Sequence, residues 1–394
     1  MKNYLFYSFK KKLPLFIIIA VIFLSIALLS ISTVDFINTF YIDGGERMGY
    51  WDTTDAGYLG TIISLFSFML FLPFFGMNYR YSLKKSDTFR QVAFKERSIR
   101  WGEHLTTLIT VLIIWTIAYA ILVGGLAIKN FSTVAPPPTE YNEYEVIYFN
   151  FIYYVPLYFA AIGLATAQYF VSYLLISRSN NFLNSLITLG VGECFLLSII
   201  ALPLSFVYES SFSLFGIATN ASVFFPISYL EGQFNDLITR GVDIIKEGFF
   251  PYEMTTDVIV KNIGFIASWV IFIGTAIVGI VAFIFEKDPS SEWAGKPNTD
   301  KPYQEIVYHA GIGVLSGYIV YSSFGLETSP FAIILAYVLI SSTYYTIYGL
   351  LHRNFKLKLR QTLTLVGVMT FIILCHVAKI IYEVVVTASN VIAE

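Results

Sequence analysis

Long apolar runs separated by short polar segments dominate the sequence. The first run, residues 13–32, has 20 residues and no charged side chain. A helix needs about 20 mostly apolar residues to cross the roughly 30 Å of hydrocarbon in a bilayer. Nine runs of this kind occur, and we interpret each as a membrane-spanning helix. They are 13–32, 57–77, 105–128, 147–176, 182–206, 263–285, 306–325, 331–351 and 362–386.

The composition supports a membrane protein. Hydrophobic residues make up 56% of the chain and charged residues only 13%, whereas soluble domains carry about 25% charged residues. This deficit excludes an ordinary soluble enzyme and a disordered chain, and a net charge of -2 offers no basic surface for nucleic acid. We predict an all-α fold, a polytopic transmembrane helix bundle that forms a single domain over 1–394, with short amphipathic helices at the membrane surfaces.

Lys and Arg residues predict the orientation, because they are retained on the cytoplasmic side. With the N-terminus inside, 19 of the 25 Lys and Arg residues fall in inner segments and five in outer ones. Lys379 lies within the ninth run. We therefore predict a cytoplasmic N-terminus, and nine spans then place the C-terminus outside. The run 306–325 is the weakest, so the side of the C-terminus depends on it.

The segments between the runs differ in character. The N-terminal segment combines aromatic residues with lysines, which suits an interfacial helix. The inner segment 78–103 is the most charged part of the chain, and it is either a short amphipathic helix capped by Ser86 or a solvated basic loop that binds lipid headgroups. The outer segment 207–262 contains one apolar helical face. The outer loops 33–56 and 129–146 are polar.

Sequence motifs for catalysis and cofactor binding are absent. The chain has no G-x-x-x-x-G-K-[ST] phosphate loop, no H-E-x-x-H and no C-x-x-C. Its four histidines are far apart in sequence, and Cys194 and Cys375 lie in apolar runs, as small buried hydrophobic residues do. We therefore predict no catalytic residue, no metal site and no cofactor bound by this chain.

Glu193 is the best candidate for a functional charge inside the membrane. It is the twelfth residue of the run 182–206, which places it about 16–18 Å along the helix and close to the midplane. A charge there costs about 2.5–3.5 kcal/mol or more. Glu193 either lines a translocation path or makes a hydrogen bond between helices.

The segment after the sixth run, FEKDPSSEWAGKP (285–297), resembles the R-x-S-E-x-A-G-K-P signature in permease subunits of type-2 ABC exporters of Gram-positive bacteria. The matching residues are Ser291, Glu292, Ala294, Gly295, Lys296 and Pro297, and Asp288 or Pro289 stands where the family has a basic residue. The basic segment after the second run is also similar to the family's coupling helix, which docks on the ATPase. The resemblance implies that Tyr81, Lys84, Lys85, Asp87, Arg90, Lys95 and Arg97 contact that partner.

The resemblance implies a transport subunit rather than an enzyme. Its energy would come from ATP and Mg bound by a separate ATP-binding cassette ATPase, and its partners would include a second permease copy or paralogue and membrane lipids. The expected location is the cell membrane, as a multi-pass bacterial protein, and the expected substrate is hydrophobic or amphipathic, such as a peptide, lipid or drug-like molecule. The alternative is a self-contained ion- or proton-coupled transporter or channel that uses Glu193.

Overall fold

The structure is a computed structural model that describes nine ranges of the chain and isolated helical positions between 338 and 370. The ranges are 2–34, 36–43, 46–48, 56–81, 96–138, 142–146, 154–177, 179–207 and 256–285. The helices in these ranges are α1 (Lys2–Thr33), α2 (Ala56–Met77), α3 (Glu96–Ser132), α4 (Tyr154–Ser177), α5 (Phe182–Val207) and α6 (Thr256–Phe285). A short 3-10 turn, Asn78–Tyr81, directly follows α2.

Four of the helices are long and apolar enough to cross a membrane. The apolar segments are Leu5–Thr33, Gly60–Met77, Ile99–Ser132 and Leu157–Ser177, and they correspond to the first four predicted spans. The prediction of a membrane protein built on apolar helices is confirmed at this level. The count of nine spans and the side of the N-terminus stay predictions. The run 306–325, and all but isolated positions of 331–351 and 362–386, lie outside the described residues.

The chain divides into two compact units. Unit 1 comprises Met1–Met77, Ala93–Tyr169 and Ile227–Pro251. Unit 2 comprises Asn78–Val92, Phe170–Pro226 and Tyr252–Glu394. Helices α1, α2 and α3, together with α4 as far as Tyr169, therefore belong to unit 1. The rest of α4, with α5 and α6, belongs to unit 2.

Helices α1 and α3 of unit 1 are parallel. Lys12, near the start of α1, contacts Glu103, near the start of α3. Lys129, near the end of α3, contacts Ile31, near the end of α1. Contacts between the two starts and between the two ends require both helices to run in the same direction, as the first and third spans of a bundle with alternating spans must.

Helices α2 and α4 run in the opposite direction to α3. Trp115 Nε1 donates a hydrogen bond to the carbonyl oxygen of Thr61, near the start of α2 (3.1 Å). Gly76, near the end of α2, packs on His104, near the start of α3. Tyr169, in the later part of α4, also contacts His104. The ends of α2 and of the unit 1 part of α4 therefore lie at the start of α3, an end that we name the Lys12 end.

A three-stranded antiparallel sheet, with strand order β2–β1–β3, follows the ends of α1 and α3, opposite the Lys12 end. Its strands are β1 (Ile37–Asp43), β2 (Glu46–Met48) and β3 (Asn142–Val146). Strand β1 follows α1 and β3 follows α3, and their pairing sets Ile37 opposite Val146 and Tyr41 opposite Asn142. The segments 33–56 and 129–146, predicted only as polar outer loops, are joined by this pairing. We name this the sheet end.

Helix α3 separates buried from membrane-facing side chains. Its fully buried side chains include Val111, Trp115 and Leu122. On another face Ile109, Ile113, Ile117 and Ile121 recur every fourth residue, and each is 40–55% exposed. Positions four apart lie on one side of a helix. An apolar stripe of this length is typical of a surface that meets lipid hydrocarbon.

Glycines allow the helices of unit 2 to pack closely. A Cβ atom on Gly192 of α5 would meet the side chain of Leu175 in α4, and one on Gly279 of α6 would meet the backbone carbonyl of Phe170. Phe283, one turn after Gly279, stacks edge-on against Phe170, with ring centroids 5.7 Å apart. Small residues at helix contacts are typical of membrane bundles, where no hydrophobic effect drives the helices together.

Several helices extend beyond the predicted spans. Helix α1 begins at Lys2 rather than 13, α3 at Glu96 rather than 105, and α6 at Thr256 rather than 263. A helix satisfies its backbone hydrogen bonds internally, so it continues from lipid into water without a break. The basic N-terminal segment is therefore the first part of α1, and residues 96–103 of the segment 78–103 belong to α3. Helix α4 begins at Tyr154, whereas the predicted span began at 147, and residues 147–153 lie outside the described residues.

Candidate functional site

The structure describes three of the candidate residues chosen from the sequence. Tyr81 ends the 3-10 turn, Arg97 lies in the first turn of α3, and Glu193 lies in α5. The other candidates lie outside the described residues, and they are Lys84, Lys85, Asp87, Arg90, Lys95, Ser291, Glu292, Gly295, Lys296 and Pro297. Residues 82–95 separate Tyr81 from α3 in sequence.

The start of the basic segment 78–103 is fixed on the end of α4. Arg80 is 3% exposed, and its Nη1 donates a hydrogen bond to the carbonyl oxygen of Ser177, the last residue of α4 (2.8 Å). A cation stabilises the C-terminal end of a helix, where carbonyl groups lack helical partners. The Tyr81 ring packs edge-on against Phe182, the first residue of α5, with centroids 5.8 Å apart. Burial raises the pKa of Tyr81 to about 12, so its hydroxyl is protonated at physiological pH.

Glu193 is the twelfth of the 26 residues of α5 and is partly buried. Its neighbour Gly192 is buried against Leu175 of α4. Glu193 therefore directly follows a residue at a contact between these two helices. This position suits either of the roles considered for Glu193, because a close helix pair can share a hydrogen bond and can also border a path.

A buried ion pair joins α1 and α3 at the Lys12 end. Lys12 Nζ lies 2.6 Å from Glu103 Oε2, and the two side chains are 10% and 5% exposed. The same ammonium group donates to the backbone carbonyl of Glu103 (3.0 Å) and to Thr107 Oγ1 (2.7 Å). An ammonium group has three N–H donors, and here each donor has an acceptor. Lys12 therefore has no donor left for a ligand.

The sequence does not indicate this pair. Lys12 stands beside Lys10 and Lys11 among the cations predicted to lie on the inner side, and those two lysines are exposed. Successive residues on a helix point about 100° apart, so only one of three adjacent lysines can face α3. Glu103 lies 91 positions away in sequence. The one available signal was an acidic residue next to the apolar run 105–128.

A second polar contact lies beside the ion pair. His104 Nδ1 and the Tyr169 hydroxyl are 2.5 Å apart, and both side chains are almost fully buried. Gly76 of α2 packs directly on the imidazole, because a Cβ atom there would clash with the ring. Glu103 and His104 thus face different neighbours, so the start of α3 contacts α1, α2 and α4.

Lys129 makes the corresponding contact at the sheet end. Its Nζ donates to the carbonyl oxygens of Ile31 (3.0 Å), Ser32 (3.2 Å) and Val34 (2.5 Å). The last carbonyls of a helix have no partner within that helix, and a cation there also interacts favourably with the helix dipole. Lys129 therefore caps α1. This contact gives a structural reason for a lysine among the five cations assigned to the outer side.

These arrangements bind helices rather than perform chemistry. Both Lys12 and Lys129 have their three donors occupied, so neither is a free nucleophile or general acid. Within the described ranges, no group of three or more His, Cys, Asp or Glu side chains is arranged to hold a metal ion. The described residues therefore supply two helix clamps, a fixed start for the basic segment and one partly buried carboxyl group in mid-helix.

Comparison with protein-family models, with characterised proteins and with solved structures gives no match for this chain. The resemblance to exporter permeases therefore depends only on the residues named above, in the segments 285–297 and 78–103.

Proposed function

We propose that the chain is the membrane-spanning permease subunit of an ATP-driven ABC exporter. The observation that carries the proposal is the sequence Ser-Glu-x-Ala-Gly-Lys-Pro at 291–297, which starts six residues after the end of the long apolar helix α6. The apolar helices support a transport role, and the absence of a phosphate loop means that ATP and Mg would be bound by a partner ATPase. A second permease copy or paralogue would complete the translocation path.

The basic segment 78–103 is the proposed contact with the ATPase. Its first residues are anchored, because Arg80 is bonded to the end of α4 and Tyr81 is packed on α5. Its last residues form the first turns of the long helix α3, starting at Glu96. A segment with a fixed start and a helical continuation can pass a push from a partner into the membrane helices. Lys84, Lys85 and Arg90 supply the charge for docking.

The proposed substrate is hydrophobic or amphipathic, such as a peptide, lipid or drug-like molecule, and the proposed location is a bacterial cell membrane. The resemblance to exporter permeases supports this substrate class. The direction of transport, outward, follows from the resemblance to exporters.

Affinity purification with a matched charge reversal tests the proposal. The full chain is purified from a native membrane, and the bound proteins are assayed for ATPase activity. Charge reversal in K84E/K85E is expected to release the ATPase, because docking on a basic segment is electrostatic. The control K10E/K11E reverses two exposed lysines at the start of α1, and it is expected to retain the partner.

Two outcomes would contradict the proposal. One is that the wild-type chain brings down no ATPase and transports its substrate in vesicles without ATP. The other is that K84E/K85E binds the ATPase as well as K10E/K11E does, which would remove the docking role of the basic segment. Membrane insertion of both variants is checked by their extraction with the membrane fraction.

A self-contained ion- or proton-coupled transporter is the second candidate, and the partly buried Glu193 in the middle of α5 favours it. The substitution Glu193→Gln keeps the size and hydrogen-bonding capacity of the side chain while removing its charge. If this second candidate is right, the wild-type chain transports in vesicles with an imposed pH gradient and no ATP, and the Glu193→Gln variant does not. Equal transport by both would leave Glu193 a packing role alone.

A further inference from the structure

Helices α1 and α3 are bound to each other at both ends by reciprocal contacts. Lys12 of α1 reaches Glu103 and Thr107 of α3, and Lys129 of α3 reaches the last carbonyls of α1. Each helix thus contributes one lysine and receives the other. Lys12 and Ile31 are 19 residues apart, so the two contacts are separated by about 28 Å along α1, nearly the thickness of the hydrocarbon layer.

The sheet provides a third connection between the same two helices. Strand β1 starts four residues after α1 ends, and β3 is the next element after α3. Their backbone pairing runs from Ile37 opposite Val146 to Tyr41 opposite Asn142. The pair is therefore linked through side chains at the Lys12 end, through a side chain and helix carbonyls at the sheet end, and through main-chain bonds beyond the helices.

Each of these links resists a particular movement. Sliding of one helix along the other would break the contacts of both lysines at once, because each lysine belongs to one helix and is bonded to the other. Opening at one end would expose a charged pair at Lys12 or the unpaired last carbonyls of α1 at Lys129, and both are costly where water is scarce. Beside the Lys129 clamp, Gly125 of α3 packs directly on Ile31 of α1.

We infer that α1 and α3 form one rigid strut that moves as a single body, held by the two lysine clamps and the β1–β3 ladder. The strut links the last residues of the basic segment, which form the first turns of α3, to the sheet at the other end of unit 1. Any displacement imposed at the start of α3 is then delivered to the sheet without loss by bending or sliding. This property does not depend on an ATPase or on any particular substrate.

Distance measurements between spin labels test the strut directly. In the full chain with Cys194 and Cys375 replaced by serine, labels are placed on α1 at Ile18 and on α3 at Ile113, side chains that are 58% and 55% exposed. The control pair, Ile109 and Ile128, lies on α3 alone, about 28 Å apart. Electron–electron double resonance is recorded in lipid nanodiscs.

The inter-helix distribution is expected to be a single peak no wider than that of the control pair. Two peaks, or a distribution broader than the control, would overturn the inference. A second variant, K12M/E103L/K129M, replaces the clamp side chains with apolar ones, so that no charge is left unpaired, and its distribution is expected to be broader. A peak in that variant as narrow as the native one would show that the lysines do not hold the strut. No outcome depends on transport, so the proposed function can fail while the strut stands.

Discussion

The two ends of the α1–α3 pair use lysine in different ways. At the Lys12 end the ammonium group meets a carboxylate, a hydroxyl and one backbone carbonyl. At the sheet end Lys129 meets three backbone carbonyls and, among the residues that the structure describes, no acid. The first contact depends on the identity of three side chains, whereas the second depends on one side chain and on the end of a helix, which every helix provides. The first end is therefore the more specific and the more vulnerable to substitution.

The largest effect is expected from Lys12→Met. It leaves Glu103 buried without its cation, and removal of one partner of a buried ion pair costs about 3–5 kcal/mol. The measurement is the midpoint of unfolding when SDS is titrated into the protein in mild detergent. The double variant K12M/E103L removes both charges and is expected to recover most of that loss. Equal instability of the single and double variants would show that packing, not charge, determines this end.

A smaller loss, about 2 kcal/mol, is expected from Lys129→Met, because the last carbonyls of α1 lose a charged donor but lie near the end of the helix. The conservative variant Lys129→Arg keeps the charge and is expected to lose less. If Lys129→Met proved as damaging as Lys12→Met in the same SDS titration, the contrast between the two ends would be wrong.

Substitution of two glycines tests how tightly the helices pack at these two ends. Gly76→Ala places a methyl group against the buried His104 ring, whereas Gly125→Ala meets the far end of the flexible Ile31 side chain. Overpacking costs about 1–3 kcal/mol where neighbours cannot move. We expect Gly76→Ala to be less stable than Gly125→Ala by about 1 kcal/mol. The reverse order would mean that the Lys12 end adapts more easily than the sheet end.

The smallest effect is expected from a disulfide at the sheet end. In I31C/G125C the two side chains lie close, because Ile31 Cγ1 would be 3.0 Å from a Cβ at residue 125. If the strut is rigid, oxidation of this pair in a background without native cysteines leaves substrate transport unchanged. Lost transport that a reductant restores would show that α1 and α3 must separate at this end.

The lengths of the apolar runs were sufficient to predict the first four helices, because the bilayer sets the length of a spanning helix. They could not predict the residue at which each helix begins. Helix formation is cooperative, so a helix extends through polar residues such as Lys2 and Glu96 as readily as through apolar ones. The pairing of β1 with β3 also left no signal, because each strand is short and its partner lies far away in sequence.

Charge counting gave the least information about individual residues. It assigned Lys12 and Lys129 to opposite sides of the membrane, but it could not indicate that both have buried or half-buried partners. Those partners are Glu103 and the end of α1. Contacts of this kind join residues that are far apart in sequence, and no fixed sequence separation identifies them. The candidate Glu193 was found because a single acid in a long apolar run is conspicuous, whereas Glu103 stands beside other charged residues.

Three prolines lie between α3 and β3. Helices α1 and α3 are parallel, yet β1 and β3 are antiparallel, so the connection from α1 to β1 and the connection from α3 to β3 must turn the chain differently. Pro136, Pro137 and Pro138 are exposed there, and a proline run favours an extended rod of about 3.1 Å per residue. Strand β3 begins at Asn142, opposite Tyr41 near the end of β1 and not opposite Ile37 at its start, so the connection after α3 has to reach the far end of β1. Deleting a proline from this connection is therefore expected to move Asn142 away from Tyr41 and to shift the register of the ladder.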